Sequence, residues 1–73
     1  MNFPRKEIVE QIKRDYPAGS RVKLLHMYDS YTKIPEGTLG TVRVVDDTGT
    51  IHVDWDNGSC LGVVYGEDSC QKI

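Results

Sequence analysis

Seventy-three residues with a formal net charge of −2 bury a smaller fraction of their surface than a typical domain does, so the core is marginal unless a staple such as oligomerisation supports it. With 38% hydrophobic and 27% charged residues, the chain has enough apolar content for a packed core, which excludes a disordered chain, and no apolar run reaches the ~20 residues that cross a bilayer. Residues 1–33 hold seven Lys/Arg against four Asp/Glu (+3) and residues 34–73 hold two against seven (−5); the acidic half argues against wrapping nucleic acid, which is bound mainly through Lys and Arg.

The first stretch, MNFPRKEIVEQIKRDYP, is charged throughout and lacks the continuous apolar core of a secretory signal, so a cytoplasmic protein is expected. Pro4 suits a first helical turn, and Pro4 to Asp15 places Ile8, Ile12 and Tyr16 four residues apart with Val9 beside them, an apolar stripe on a charged helix. Tyr16 precedes Pro17, which ends the helix. Some three turns are too few for a helix to stand alone, so the stripe must lie against something.

From Gly19 the period becomes alternating. RVKLLHMY, LGTVRVVD, TIHVDWD and CLGVVY read as four strands, rich in β-branched and aromatic residues and bounded by turn formers. DDTG and DNGS join the last three, YDSYTKIPEGT is a long loop between the first two, and the tail EDSCQKI supplies a turn and a short fifth strand. The expected fold is mainly β: a small SH3-like, partly open barrel of 4–5 antiparallel strands with one short N-terminal α-helix. One domain covers 1–73, with 1–18 as helix and turn and 19–73 as barrel.

Asn57-Gly58 between two strands predicts a two-residue type I′ hairpin. That register pairs Trp55 with Cys60, Val53 with Gly62 and His52 with Val63. Ile51, Val53 and Trp55 then share a core face with Cys60, Gly62 and Val64. Across the preceding hairpin, Val44 meets Ile51, Val42 meets Val53, and Gly40 makes room for the Trp55 indole. The opposite face carries His52, Asp54 and Asp56 beside Leu61, Val63 and Tyr65. So apolar a face needs cover, and the Ile8/Ile12 stripe is favoured over another molecule.

Candidate chemistry is sparse. In this register Cys60 lies on the face opposite His52 and Asp54, so the three form no triad. His52 and Asp54 share a face, yet a surface histidine is the simpler reading. The DxDNG run lacks the ligand spacing and terminal glutamate of a calcium loop, and the glycines of PEGTLG are not followed by the Lys-Ser/Thr of a P-loop. Cys60 and Cys70 have no CxxC spacing and read as free thiols. Tyr28, Tyr31, Trp55 and Tyr65 are more simply core and rim than an aromatic cage. No cofactor, metal site or catalytic residue is assigned. The binding candidates are His52, Asp54, Leu61, Val63, Tyr65, Tyr28 and Tyr31.

The run IPEGTLGTVRVVDDTGTIHVDWDNGSCLGVVYGEDSCQKI, with DYPAGSRVKLLHM before it, resembles domain-of-unknown-function family 4314, a family of small bacterial and phage proteins. The likeness is most specific at WDNGS. W-D-N-G with a following Tyr-x-Gly is also loosely similar to the SH3-like domains of mind-bomb-type ubiquitin ligases, which bind peptides. The resemblance implies an SH3-like barrel and a home on phages or mobile elements; it implies no activity and transfers no site residues. Cys60 and Cys70 depart from the family pattern, where serines or apolar residues are usual. The leading expectation is a non-enzymatic protein-binding module, free of cofactors, that engages a host protein as a phage or mobile-element accessory. The alternative is a small oligomer that binds a nucleotide or other small ligand at a subunit interface through basic residues of the N-terminal half. A KOW-like or Tudor-like nucleic-acid surface ranks third, and no membrane partner is expected.

Overall fold

A narrow apolar stripe with Pro4 ahead of it and Pro17 behind confines the N-terminal helix to a short span. The computed structural model describes residues 4–28 and 34–73, and its first element, α1, is Lys6–Asp15. The Tyr16 N–H closes the last turn on the Ile12 carbonyl at 2.9 Å, and Pro17 has no N–H with which to continue. Val9 is buried, while Ile12 and Tyr16 pack on the core as partly buried side chains.

Five strands follow: β1 (Arg21–His26), β2 (Leu39–Val45), β3 (Ile51–Trp55), β4 (Cys60–Val63) and β5 (Ser69–Lys72). They form one open antiparallel sheet in the order β4-β3-β2-β1-β5. Two tight turns make β2, β3 and β4 a meander, and β5 returns to lie beside β1. This is the mainly β, SH3-like arrangement that the strand pattern predicts, fifth strand included. Val22, Leu24, Ile34, Val42, Val45, Ile51, Val53, Trp55 and Val63 make the core.

The last hairpin does not turn through the predicted two-residue Asn57-Gly58 loop, nor the preceding one through a four-residue Asp46–Gly49 loop; both turn alike. Gly49 donates to the Asp46 carbonyl at 3.0 Å and Asp46 to the Thr50 carbonyl at 3.0 Å; Gly58 likewise donates to Trp55 at 3.0 Å and Trp55 to Ser59 at 2.8 Å. Gly49 (φ 82°) and Gly58 (φ 93°) are left-handed, and no non-glycine among the described residues is. These are three-residue loops, a type I turn followed by a left-handed glycine. Asn57 stays on the ordinary side of φ and its Oδ1 accepts the Ser59 N–H at 3.0 Å.

The extra loop residue shifts the last hairpin by one position from the predicted register: Ile51 faces Val63, Val53 faces Leu61 and Asp54 faces Cys60. Side chains alternate along a strand, so the slip exchanges faces. Val63 enters the core, and Cys60 and Val64 are left exposed.

The β2–β3 pairing holds at Gly40↔Trp55 and Val42↔Val53, then slips at Arg43, so that Val44 faces His52 and Val45 faces Ile51. This bulge buries Val45 and leaves Val44 exposed. A second irregularity at Leu25, between Leu24↔Cys70 and His26↔Ser69, turns Leu25 outward in the same way.

The helix covers a different place from the one expected. A Cβ added at Gly49 would meet Pro4 at 3.0 Å, Ile12 at 3.5 Å and Val9 at 3.6 Å, so α1 lies over the β2–β3 turn. Lys13 pins it there with a 2.7 Å ion pair to Asp47. Val9, rather than Ile8, is the buried member of the stripe.

Candidate contact surface

The outer face of the meander is polar and internally paired. Arg43 holds Asp54 at 2.6 Å, and the Cys60 thiol donates to the same carboxylate oxygen at 3.2 Å. Both bonds keep Asp54 below the usual aspartate range, Arg43 contributing most. The same Asp54 bond pushes the Cys60 thiol up, away from the reactive thiolate. The register slip thus puts Cys60 on the face of His52 and Asp54, contrary to the sequence reading, yet as a donor to Asp54.

His52 Nε2 is engaged by Asp46 Oδ2 at 2.8 Å. The other oxygen of Asp46 accepts the Thr48 N–H at 2.9 Å, the Thr48 hydroxyl at 2.6 Å and the Thr50 N–H at 3.1 Å. So many donors hold its carboxyl far below the ordinary value, the Thr48 hydroxyl foremost. Asp46 is the turn-capping residue, and D-x-T-G was the signal for it. Arg21 forks onto Asp56 through bonds of 2.9 and 2.6 Å and also reaches Thr41 at 2.9 Å. Lys13 and Arg21, which the anion-binding alternative would recruit from the N-terminal half, thus each sit on a carboxylate. No group of three His, Cys, Asp or Glu side chains among the described residues is placed to hold a metal ion.

The rim of β4 is different in kind. Trp55 and Ser59 are a hydrogen-bonded pair, so by antiparallel alternation Val53–Leu61 and Ile51–Val63 are too. The N–H and C=O of Cys60 and Gly62 therefore point away from β3. Among the described residues nothing bonds to them. Beyond them the edge is closed: Asp68 Oδ2 accepts the Val64 N–H at 3.0 Å, and the Val64 carbonyl accepts from Glu67 at 3.1 Å and Asp68 at 2.9 Å.

Asp68 also places Tyr28, whose N–H donates to its Oδ1 at 2.8 Å. This brings the end of the first strand segment against β4. A shallow groove of about 180 Å³ runs between them, lined by Met27, Tyr28, Leu61, Gly62, Val64, Glu67 and Asp68. Tyr28 (74% exposed) and Leu61 (39%) stand open beside it, whereas Val63 (4%) is core. Of the predicted binding residues, Tyr28 and Leu61 come together here, Val63 is a buried core residue, and Tyr65 is exposed on a second groove of about 290 Å³ under α1 with Ile12, Tyr16, Val63 and Cys70. His52 and Asp54 lie on the paired polar face, and Tyr31 falls outside the described residues. Val64 and Asp68 had no part in the sequence reading of the contact surface. The G-x-D-S run carried the only hint of Asp68, as a turn residue whose carboxylate can take up backbone N–H groups.

Trp55 belongs to none of these surfaces. Its ring lies against Gly40 in the core, and its indole N–H donates to the Leu61 carbonyl at 3.1 Å. Cys60 and Cys70 are free thiols; burial pushes Cys70 up to about 11. No helix among the described residues is long and apolar enough to cross a membrane.

The architecture and the exposed strand rim define a small, mainly β domain with an SH3-like strand order. The chain belongs to the family described as Domain of unknown function (DUF4314), whose model matches residues 5–73. No curated protein matches the chain by sequence.

Proposed function

We propose that the protein is a non-enzymatic protein-binding module whose contact surface is the β4 rim with Tyr28, Leu61 and Val64. The observation that carries this reading is the coincidence of outward-facing backbone groups at Cys60 and Gly62 with an exposed apolar groove beside them. Backbone groups of this kind accept an added strand, and flanking side-chain pockets then select the partner. The paired polar face supports the non-enzymatic part, since its one thiol is held protonated and its aspartates are occupied. On this reading the protein is a phage or mobile-element accessory acting on a host protein in the cytoplasm.

The test is a cross-linked pull-down from host lysate with the parent and a Tyr28→Asp/Val64→Asp variant, both checked for fold by tryptophan fluorescence. Both side chains are exposed, so the variant keeps the core. A protein retained by the parent and lost by the variant supports the reading. Identical retention by both, or none by either, rejects it.

A further inference from the structure

We propose that the β4 rim pairs with the β4 rim of a second copy, antiparallel across a two-fold axis through Leu61. The inference rests on the preceding reading of β4 as the contact surface and commits its backbone groups to a second copy, which a host protein binding the same rim would have to displace.

Edge strands are usually blunted by charge, proline or a covering element, because an open rim invites pairing. The run from Ser59 to Tyr65, SCLGVVY, holds neither a charge nor a proline. The other edge, β5, contains Lys72. Of the carboxylates beside β4, Asp54 is paired with Arg43, and Asp68, at the Val64 end of the rim, accepts the Val64 and Tyr28 N–H groups.

The open window is short, and its limits choose the register. Only Cys60 and Gly62 turn their backbone groups outward, because the Val64 N–H is taken by Asp68 and Ser59 offers its carbonyl to Trp55. In an antiparallel copy, Cys60 then faces Gly62 of the second molecule and Gly62 faces its Cys60. Both N–H and both C=O groups on each strand are thereby satisfied. Registers centred on Cys60 or Gly62 leave half of them unpaired.

Side-chain sizes agree with the same axis. On the outer face a small cysteine meets a glycine. A Cβ at Gly62 would already crowd the Thr50 methyl, at 2.6 Å, within the monomer. On the opposite face Leu61 meets Leu61 as a non-hydrogen-bonded pair, where side chains approach most closely. An isologous contact of this kind closes as a dimer.

The experiment uses the full chain. Sedimentation equilibrium is expected to show a concentration-dependent doubling of mass, and Leu61→Lys, which places like charges across the axis, is expected to weaken it by about tenfold or more. Leu61 is partly exposed, and tryptophan fluorescence is used to check that this variant folds. In a Cys60→Ser/Cys70→Ser background, Leu61→Cys is expected to form an intermolecular disulfide under copper-phenanthroline oxidation, the Cα atoms of such a pair lying about 4.5 Å apart. The parent Cys60, offset from its mate by two positions along the strand, is expected not to cross-link. Three results would overturn the proposal: a chain that stays monomeric, a Leu61→Lys variant as dimeric as the parent, or cross-linking through the parent Cys60 and not through Leu61→Cys. The protein-binding reading is judged separately, by whether retention of a host protein depends on Tyr28 and Val64.

Discussion

Adding one methyl group at Gly40 tests the core where it is tightest. A Cβ there would lie 2.6 Å from Val53 Cγ1, 2.8 Å from Trp55 Cε3 and 3.1 Å from the Asp54 carbonyl oxygen. Ordinary carbon contacts begin near 3.5 Å, so the two side chains must yield by well over half an ångström, and neither has room: Val53 and Trp55 are both buried. Overpacking of this kind costs about 1–3 kcal/mol. Gly40 has an ordinary φ, so alanine also stiffens the unfolded chain, which offsets about 0.4–1 kcal/mol. A net loss of about 1–2 kcal/mol is a large share of the roughly 4–11 kcal/mol typical for a chain of this length. At about 4–8 °C per kcal/mol, Tm of Gly40→Ala falls by about 4–16 °C. The second arm is a double-mutant cycle: Val53→Ala removes the nearest clashing atom, so the pair is expected to be more stable than additivity by about 0.5 kcal/mol or more. Urea melts of the four proteins, followed by Trp55 fluorescence, give both quantities. A Gly40→Ala protein as stable as the parent, or strict additivity with Val53→Ala, would refute the packing of the indole on Gly40.

Acid sensitivity follows from the aspartates: Asp46, Asp54 and Asp56 are all held below the ordinary value in the folded state by their donors. Their stabilisation is therefore full above the unfolded aspartate value of about 3.9 and is lost as pH falls below it. Tm is expected to be flat from about pH 7 to 5 and to drop below about pH 4; Asp46→Asn lowers it at neutral pH and flattens the drop, and an unchanged acid limb in calorimetry contradicts the assignment. Thiol reactivity provides an independent check, because Asp54 raises the Cys60 thiol while Arg43 opposes it. Asp54→Ala is expected to speed alkylation of Cys60 by iodoacetamide at pH 8, with Cys70 slow in both proteins, as site-resolved mass spectrometry would show; an unchanged Cys60 rate counts against the Cys60–Asp54 bond.

The strand count, the helix and most of the core were legible because alternation and turn residues report them directly. Gly40 against Trp55 was legible too, since an indole on a close-packed strand needs a partner without a side chain. The last register was not. Asn-Gly suits a two-residue turn with both residues left-handed, and it equally suits a three-residue turn in which only the glycine is. The two differ by one residue of loop. Local turn preference cannot separate them; burial can, since the adopted register gives Ile51 a buried Val63 as its neighbour. The Arg43 bulge was hidden for a related reason. Val42, Val44 and Val45 are all strand formers, and only the closed pairing shows that Val45, not Val44, faces inward.

That single slip changes what kind of surface the fourth strand offers. With Leu61, Val63 and Tyr65 aligned on one side, β4 would present an apolar face, and a face is covered by burying side-chain area. With Val63 inside and Cys60 outside, the exposed feature is the rim, where Cys60 and Gly62 offer backbone groups. A rim is covered by another strand, and main-chain bonds of that kind read backbone geometry before side-chain identity. If the rim takes up a strand as proposed, selectivity comes from what stands beside it. Asp68 places Tyr28 there by its backbone N–H, its side chain is exposed, and Leu61 and Val64 flank the same groove. The neighbouring polar face adds little net attraction, because Arg21, Arg43 and His52 each spend their bonds on an aspartate of the same sheet or its turns.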